Sequence, residues 1–166
     1  METEQETTID PREFRNAMGR FATGVTIVTT EVEGETFGMT ANAFLSVSLD
    51  PPLILISVGT KASMHERLPQ SGRYGVSFLN EGQTDLSQHF AGQPVEGLEV
   101  PFVRKHDMPL IEGAVAHIVT KVVEAHPAGD HTLFIGEVEY LDSHDDRPLL
   151  FYAGKYHELN AEEAAD

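Results

Sequence analysis

The sequence predicts a mainly β protein, an antiparallel barrel with a few short helices. Three observations carry this reading. Runs of β-branched and apolar residues, alternating or continuous, recur along the chain. Glycine, proline and acidic turn residues separate them at short intervals. The runs also follow one another without the regular helical crossovers of a parallel sheet. The pattern gives roughly six to eight strands and about three short helices.

Residues 1–9 read as a disordered acidic arm, and the folded domain is expected over residues 10–158. "DPREFRNAMGRF" begins a helix, with Asp10 as N-cap, Pro11 in the first turn and Glu13 placed for a capping box. Phe14, Ala17, Met18 and Phe21 recur at helical spacing and should face the core, with Gly24 ending the segment. "VTIVTTEVE" is a strand, and Glu33-Gly34-Glu35 turns it into the extended "TFGMTANAFLSVSL". Asp50-Pro51-Pro52 breaks that run. "LILISV" suits a central strand, and "ASMHERLPQSG" a short helix that stops near Pro69 and Gly72. "RYGVSFL" is a strand, and "QTDLSQHFAG" a second short helix with Thr84 or Asp85 near its cap. Residues 92–113, rich in proline and glycine, read as irregular. "AVAHIVTKVVEAH" and "HTLFIGEVEYLD" form a long hairpin, "PLLFYAGKYHEL" closes the domain, and 159–166 is an acidic tail.

At 166 residues one domain is the default. The formal charge is −16, from 27 acids against 11 bases. Such a surface repels nucleic acid and anionic lipid, so neither is expected as a partner. Acid-rich, lysine-poor composition suits a high-salt cytoplasm, and equally an ordinary acidic protein with acidic ends. No apolar run reaches the ~18–20 residues that span a bilayer. "METEQETTID" has neither signal- nor transit-peptide character, so a cytoplasmic location is expected. Without cysteine there is no disulfide, thiolate metal site or Cys nucleophile. No Walker, G-x-G-x-x-G, G-x-S-x-G or H-E-x-x-H pattern occurs, and the eight histidines are scattered, so no metal site is expected.

Three stretches can carry chemistry. Gly38, Thr40, Ala41, Asn42 and Ala43 are small and polar, which lets a flat ligand approach the backbone; a strand corner would use the same residues. Lys61 and Ser63 sit where a strand hands over to a helix, a place suited to an anion; Ser63 with Glu66 could equally be a simple capping box. Gly129, Asp130 and His131 place an imidazole where a tight turn enters a strand.

Taken in order, "FATGVTIVTT", "GMTANAFLSVSLDPPLILISV", "GDHTLFIGEV" and "PLLFYAGKY" resemble the flavin reductase-like domain proteins, the small reductase components of two-component flavin monooxygenases. The resemblance spans roughly residues 10–158. It implies an FMN-binding split β-barrel, antiparallel and Greek-key-like, that forms a homodimer with flavin at the subunit interface. It implies an NAD(P)H:flavin oxidoreductase that supplies reduced FMN or FAD to a separate oxygenase. With no basic cluster for a 2′-phosphate, NADH is slightly favoured. By position, Thr40, Ala41, Asn42 and Ala43 would line the isoalloxazine. Ser57, Lys61, Ala62 and Ser63 would hold the ribityl phosphate, and Phe90 would approach from the second short helix. Gly129, Asp130 and His131 match the family's Gly-Asp-His signature at the nicotinamide and flavin site, and Tyr156 would shape the same pocket. Many relatives carry serine where this chain has Ala43, which removes a hydroxyl near the ring. Two other flavin readings are a pyridoxamine-phosphate-oxidase-like oxidase and an electron carrier without nicotinamide turnover. No catalytic side chain is demanded, because the two cofactors exchange hydride directly. The dimer interface is expected to draw on residues 92–113.

Overall fold

The β-branched run at Thr26–Val32 forms strand β2, whose residues Thr26–Thr30 are buried. In the computed structural model, which describes residues 8–160, the elements run α1 (Pro11–Met18), β1 (Thr23–Gly24), β2, β3 (Glu35–Ala41), β4 (Phe44–Ser48), β5 (Leu53–Gly59), α2 (Ser63–Ser71), β6 (Arg73–Phe78) and α3 (Thr84–Phe90). There follow β7 (Phe102–Lys105), β8 (Met108–Ile111), β9 (Ala116–Ala128), β10 (His131–Ser143), β11 (Leu149–Tyr152) and β12 (Lys155–Glu158). Most of the arm and tail expected from the sequence, residues 1–7 and 161–166, lie outside the described residues. No described helix is long and apolar enough to cross a membrane.

Seven strands make one antiparallel sheet in the order β3-β2-β6-β9-β10-β5-β4. Its two edges, β3 and β4, are consecutive in sequence and joined only by Asn42 and Ala43. The sheet therefore curls round until its edges lie at either end of a two-residue link, yet no ladder closes between them. The barrel is split, and the split falls on the small polar stretch singled out above. A second sheet, β1-β11-β12, and the β7-β8 hairpin complete the antiparallel fold.

Ile54, Ile56 and Val58 of β5 point inward while the residues between them face out, as period-two alternation requires. They pack with Val28, Val76, Tyr74, Phe134 and, from α2, Met64 and Leu68. Tyr74 is fully buried and donates its hydroxyl to the Phe134 carbonyl (3.1 Å), and burial pushes its pKa up. Removing a side chain such as Leu68 from this core would cost ~2–5 kcal/mol.

Two expectations need correction. Helix α1 has the predicted cap, the Arg12 N–H donating to Asp10 Oδ1 at 2.8 Å, but it stops at Met18, and Gly24 lies in β1. Its apolar stripe does not face the core: Phe14, Met18 and Phe21 are 56%, 55% and 78% exposed. The apolar spacing marks a face that this chain's own core does not cover. Residues 92–113 are not irregular throughout. They contain β7 and β8, and Met108, Leu110 and Ile111 are buried. Met108–Ile111 is packed within its own chain, whereas Phe102 and Arg104 of β7 stay exposed.

Candidate functional site

The predicted residues form a belt along the outside of the split, in two groups joined by one backbone contact. In the first, β3 ends with Thr40 facing out and Ala41 facing in. Ala41 is 8% exposed and belongs to the core, so only its backbone borders the belt. Its carbonyl accepts from Thr26 Oγ1 at 2.7 Å, which fixes the end of the strand. Thr40 donates its hydroxyl to the Ser87 carbonyl, and Ser87 Oγ is 2.7 Å from the Tyr156 hydroxyl. Thr40, Ser87 and Tyr156 thus tie β3, α3 and β12 together. Phe90 lies over Gly38, where a Cβ would come within 2.8 Å of its ring, so glycine is needed there for the close approach. Ser87 carried no signal in the sequence: a serine in a polar short helix looks like any solvated residue, yet this one is fully buried.

Asn42 and Ala43 are exposed at the link itself. Asn42 borders an apolar cavity of about 520 Å³ on one side, with Phe21, Phe44, Phe78 and Leu149 in its wall. On another it borders a groove of about 620 Å³ with Arg15, Arg20 and Phe151. Phe44 and Phe78 meet edge-to-face at 5.0 Å. The sequence reading assigned none of these wall residues to the site, because their contribution depends on chain segments brought together only by the fold.

The second group begins where the Ser57 N–H reaches the Ala43 carbonyl at 3.4 Å. Two residues further, roughly 7 Å along the strand, Gly59 pairs with His131. Lys61 and Ser63 are exposed beside it. The N-cap of α2 is Ala62, which offers no side-chain bond, and Ser63 is already the first helical residue. The capping box with Glu66 does not form at this end; the His65 N–H donates to the Ala62 carbonyl at 3.0 Å, and the Ser63 and Met64 N–H groups keep their capacity for an anion. At the tip of the long hairpin only Gly129 and Asp130 separate β9 from β10, and Gly129 takes φ 61° as the first residue of a two-residue turn. The Thr60 N–H donates to the Asp130 carbonyl at 2.9 Å. His131 Nδ1 is 2.8 Å from Asp130 Oδ1. The His131 hydrogen bond, then its charge, and finally Lys61 hold the Asp130 carboxyl below the usual carboxylate range.

The structure therefore brings Lys61, Ala62, Ser63, Asp130 and His131 together at one end, and Thr40, Asn42, Phe90 and Tyr156 towards the other, with Ala43 and Ser57 between. Among the described residues no group of three or more histidines and carboxylates could hold a metal ion.

Comparison with known proteins identifies the family. The family described as flavin reductase like domain matches residues 18–160. An NADH-dependent flavin reductase from Rhodococcus sp. is 51% identical over 154 residues, covering 91% of this chain and 88% of that one. The reductase component of 4-hydroxyphenylacetate 3-monooxygenase from Thermus thermophilus is 39% identical over 139 residues, covering 84% and 89%. The solved structure of the flavin reductase PheA2 in its native state superposes with a TM-score of 0.89 at 52% identity, covering 92% of this chain and 99% of that one. With the matched region running through the split, the belt and the hairpin tip, the chain belongs to the flavin reductase-like domain family.

Proposed function

We propose that this protein is an NADH-dependent flavin reductase that binds flavin along the belt, accepts NADH beside His131 and supplies reduced flavin to a separate monooxygenase. The observation that carries the reading is the uncapped N-terminus of α2 beside Lys61, set against Asp130 and His131. In a chain of net charge −16, Lys61 with the Ser63 and Met64 N–H groups at one point favours an anion there. The residues present suit a flavin: a helix end and Lys61 for its phosphate, and the small Asn42–Ala43 link for a planar ring. When bound, a nicotinamide and a flavin would supply the redox chemistry, as hydride donor and hydride acceptor.

The chain's own contribution is placement. Lys61, Ser63 and the Ser63 and Met64 N–H groups would hold the phosphate, and the Ser57–Ala43 backbone bond fixes the strand behind it. Asp130 orients the imidazole by accepting from Nδ1, which leaves Nε2 to face a ligand. His131 then orients the nicotinamide and moves no proton in the hydride step itself. Kinship with a monooxygenase reductase component supports a partner oxygenase, and the name of the Rhodococcus relative supports NADH.

A homodimer is part of the reading. The exposed Phe14, Met18 and Phe21 lie beside the cavity and groove at Asn42, and a second copy is the occupant that would cover them next to the site. Steady-state NADH oxidation with FMN and with FAD tests the function, and light scattering tests the assembly. Flavin binding with no NADH consumption would replace the reductase reading with an electron carrier. A flavin-competent monomer would remove the dimer.

A further inference from the structure

The loop after β5 and the hairpin tip are linked in several ways, and most belong to the belt already described. One lies outside it. His65, in the first turn of α2, sets Nε2 2.8 Å from Thr132 Oγ1. Its ring also meets Phe134 edge-on, with centroids 5.9 Å apart and planes at 72°. Thr132 directly follows His131 and, by strand alternation, points to the opposite face; it is 9% exposed. Its hydroxyl therefore sits inside the protein, under the strand that presents the imidazole.

The placement matters because of what else holds α2. Met64 and Leu68 anchor the helix in the core, through apolar contacts that have no strong directional preference. Arg67 adds a cation over the Phe37 ring of β3 at 4.2 Å. Among the described residues, two side-chain hydrogen bonds involve α2, and the other, Ser71 Oγ to the Arg73 carbonyl, is at its far end. The end that matters for an anion, with Lys61 and Ser63, is registered against β10 by His65 alone among these side chains.

We propose that His65 and Thr132 are a positioning pair for the reductase reaction. They lock the first turn of α2, which carries the anion end of the flavin site, to the strand that carries His131. The pair thereby fixes the spacing between the phosphate end and the nicotinamide-orienting imidazole, although neither side chain touches a ligand. The inference rests on the function proposed above.

The test is a double-mutant cycle of His65→Ala and Thr132→Val, with His65→Gln and Thr132→Ser as conservative partners that keep a hydrogen bond. Each variant is measured for NADH KM and kcat, for FMN and FAD affinity by fluorescence titration, and for thermal melting. His65→Ala and Thr132→Val should each raise the NADH KM and weaken flavin binding by about 3–10-fold, the scale of one lost hydrogen bond, with kcat changed less than about twofold. The double variant should be no worse than the weaker single one, and Gln and Ser should restore affinity. Additive losses, failure of the conservative variants to rescue, or a lower melting point with unchanged KM and flavin affinity would overturn the pair's role. Failure of the parent reading looks different: the unaltered protein would bind flavin without oxidising NADH, and the flavin titrations would still decide on the pair.

Discussion

The long β9–β10 hairpin carries a histidine–aspartate pair at each end, and the two pairs do opposite things. At the tip, His131 and Asp130 are 2.8 Å apart with side chains 47% and 92% exposed. At the base, His117 and Asp142 are 3.0 Å apart with side chains 5% and 32% exposed. The tip pair has one bond between its side chains and an open nitrogen. The base pair is bound on all sides: Lys105 Nζ lies 2.7 Å from Asp142 Oδ2 and 3.1 Å from His117 Nδ1. The Tyr140 hydroxyl donates to Asp142 Oδ2 at 2.7 Å, and His117 Nε2 donates to the Ile111 carbonyl. On the proposed reading the same two residue types serve a ligand where the imidazole keeps a free side, and they fasten β7–β8 where it keeps none. Burial and partner count separate the roles; residue identity does not.

The largest effect should follow from breaking the base. His117 has Nε2 committed to the Ile111 carbonyl, and its Nδ1 lies 3.1 Å from Lys105 Nζ and 3.0 Å from Asp142 Oδ1. His117→Ala removes these bonds and leaves the buried Ile111 carbonyl with only the long 3.5 Å bond from the Ala114 N–H, which should cost about 2–4 kcal/mol. Chemical denaturation measures this, and flavin affinity of the remaining folded protein should stay within about twofold. A loss of affinity as large as the loss of stability would mean that the two ends of the hairpin are not independent.

Asp142 comes next, and it makes the contrast depend on pH. Desolvation is the largest single influence and raises its pKa, but hydrogen bonds from Lys105, Tyr140 and His117 together outweigh it and bring the value to about 2. A folded pKa below the unfolded ~3.9 means stability that is complete above that value and disappears as pH falls through about 2. Solvent screening of a carboxylate that is one-third exposed reduces the nominal figure to about 1–2 kcal/mol. Asp142→Asn should lose that amount at pH 7, and its stability curve should converge on the parent's near pH 2. Curves that stay parallel down to that pH would assign the loss to packing and not to charge.

At the tip the expected signature is reversed. His131→Ala should leave the melting temperature nearly unchanged and lower kcat/KM for NADH by about 5–30-fold, the worth of one hydrogen bond of ~1–2 kcal/mol. His131→Asn should recover part of it. An equal fall in flavin affinity would mean that the imidazole holds the flavin and not the nicotinamide.

The sequence made the tip legible and the base invisible, for physical reasons. A Gly-Asp turn entering a β-branched strand is a local signal, as are the Asp10 cap and the alternation of β5. The base pair joins residues 25 apart through strand pairing, and its Lys105 comes from a hairpin the sequence concealed. The β7–β8 turn uses His106 and Asp107 at φ 47° and 57°, without the glycine that announces such a turn. Pro109 reads as a strand breaker. It is tolerated because β8 pairs only with β7, and its carbonyl accepts from Thr29. The belt residues on local motifs were likewise readable, whereas Ser87 and the cavity wall depended on long-range packing. The α1 stripe misled because periodicity reports an apolar face and not what covers it.

The smallest effect should come from Asp130, and it sharpens the comparison most. Its carboxyl is depressed by the His131 hydrogen bond, by that ring's charge and by Lys61, so the contact persists above the usual carboxylate range and fails as pH falls through the lowered value. It is also fully exposed to solvent, where such pairs contribute little and salt weakens them. Asp130→Asn keeps a group able to accept from Nδ1 and removes only the charge. It should reduce kcat/KM for NADH by about two- to fivefold in dilute buffer. In molar KCl, where the Debye length shrinks to ~3 Å, the gap between variant and parent should narrow. The same salt series carries a second readout, because a chain at −16 repels itself and should melt higher as screening increases. The kinetic gap and the melting temperature then separate two origins of charge effects: one ion pair at the tip, and the field of the whole surface. A kinetic gap that is unchanged by salt would show that Asp130 acts through hydrogen-bond geometry alone, as the buried pair at the base does in part.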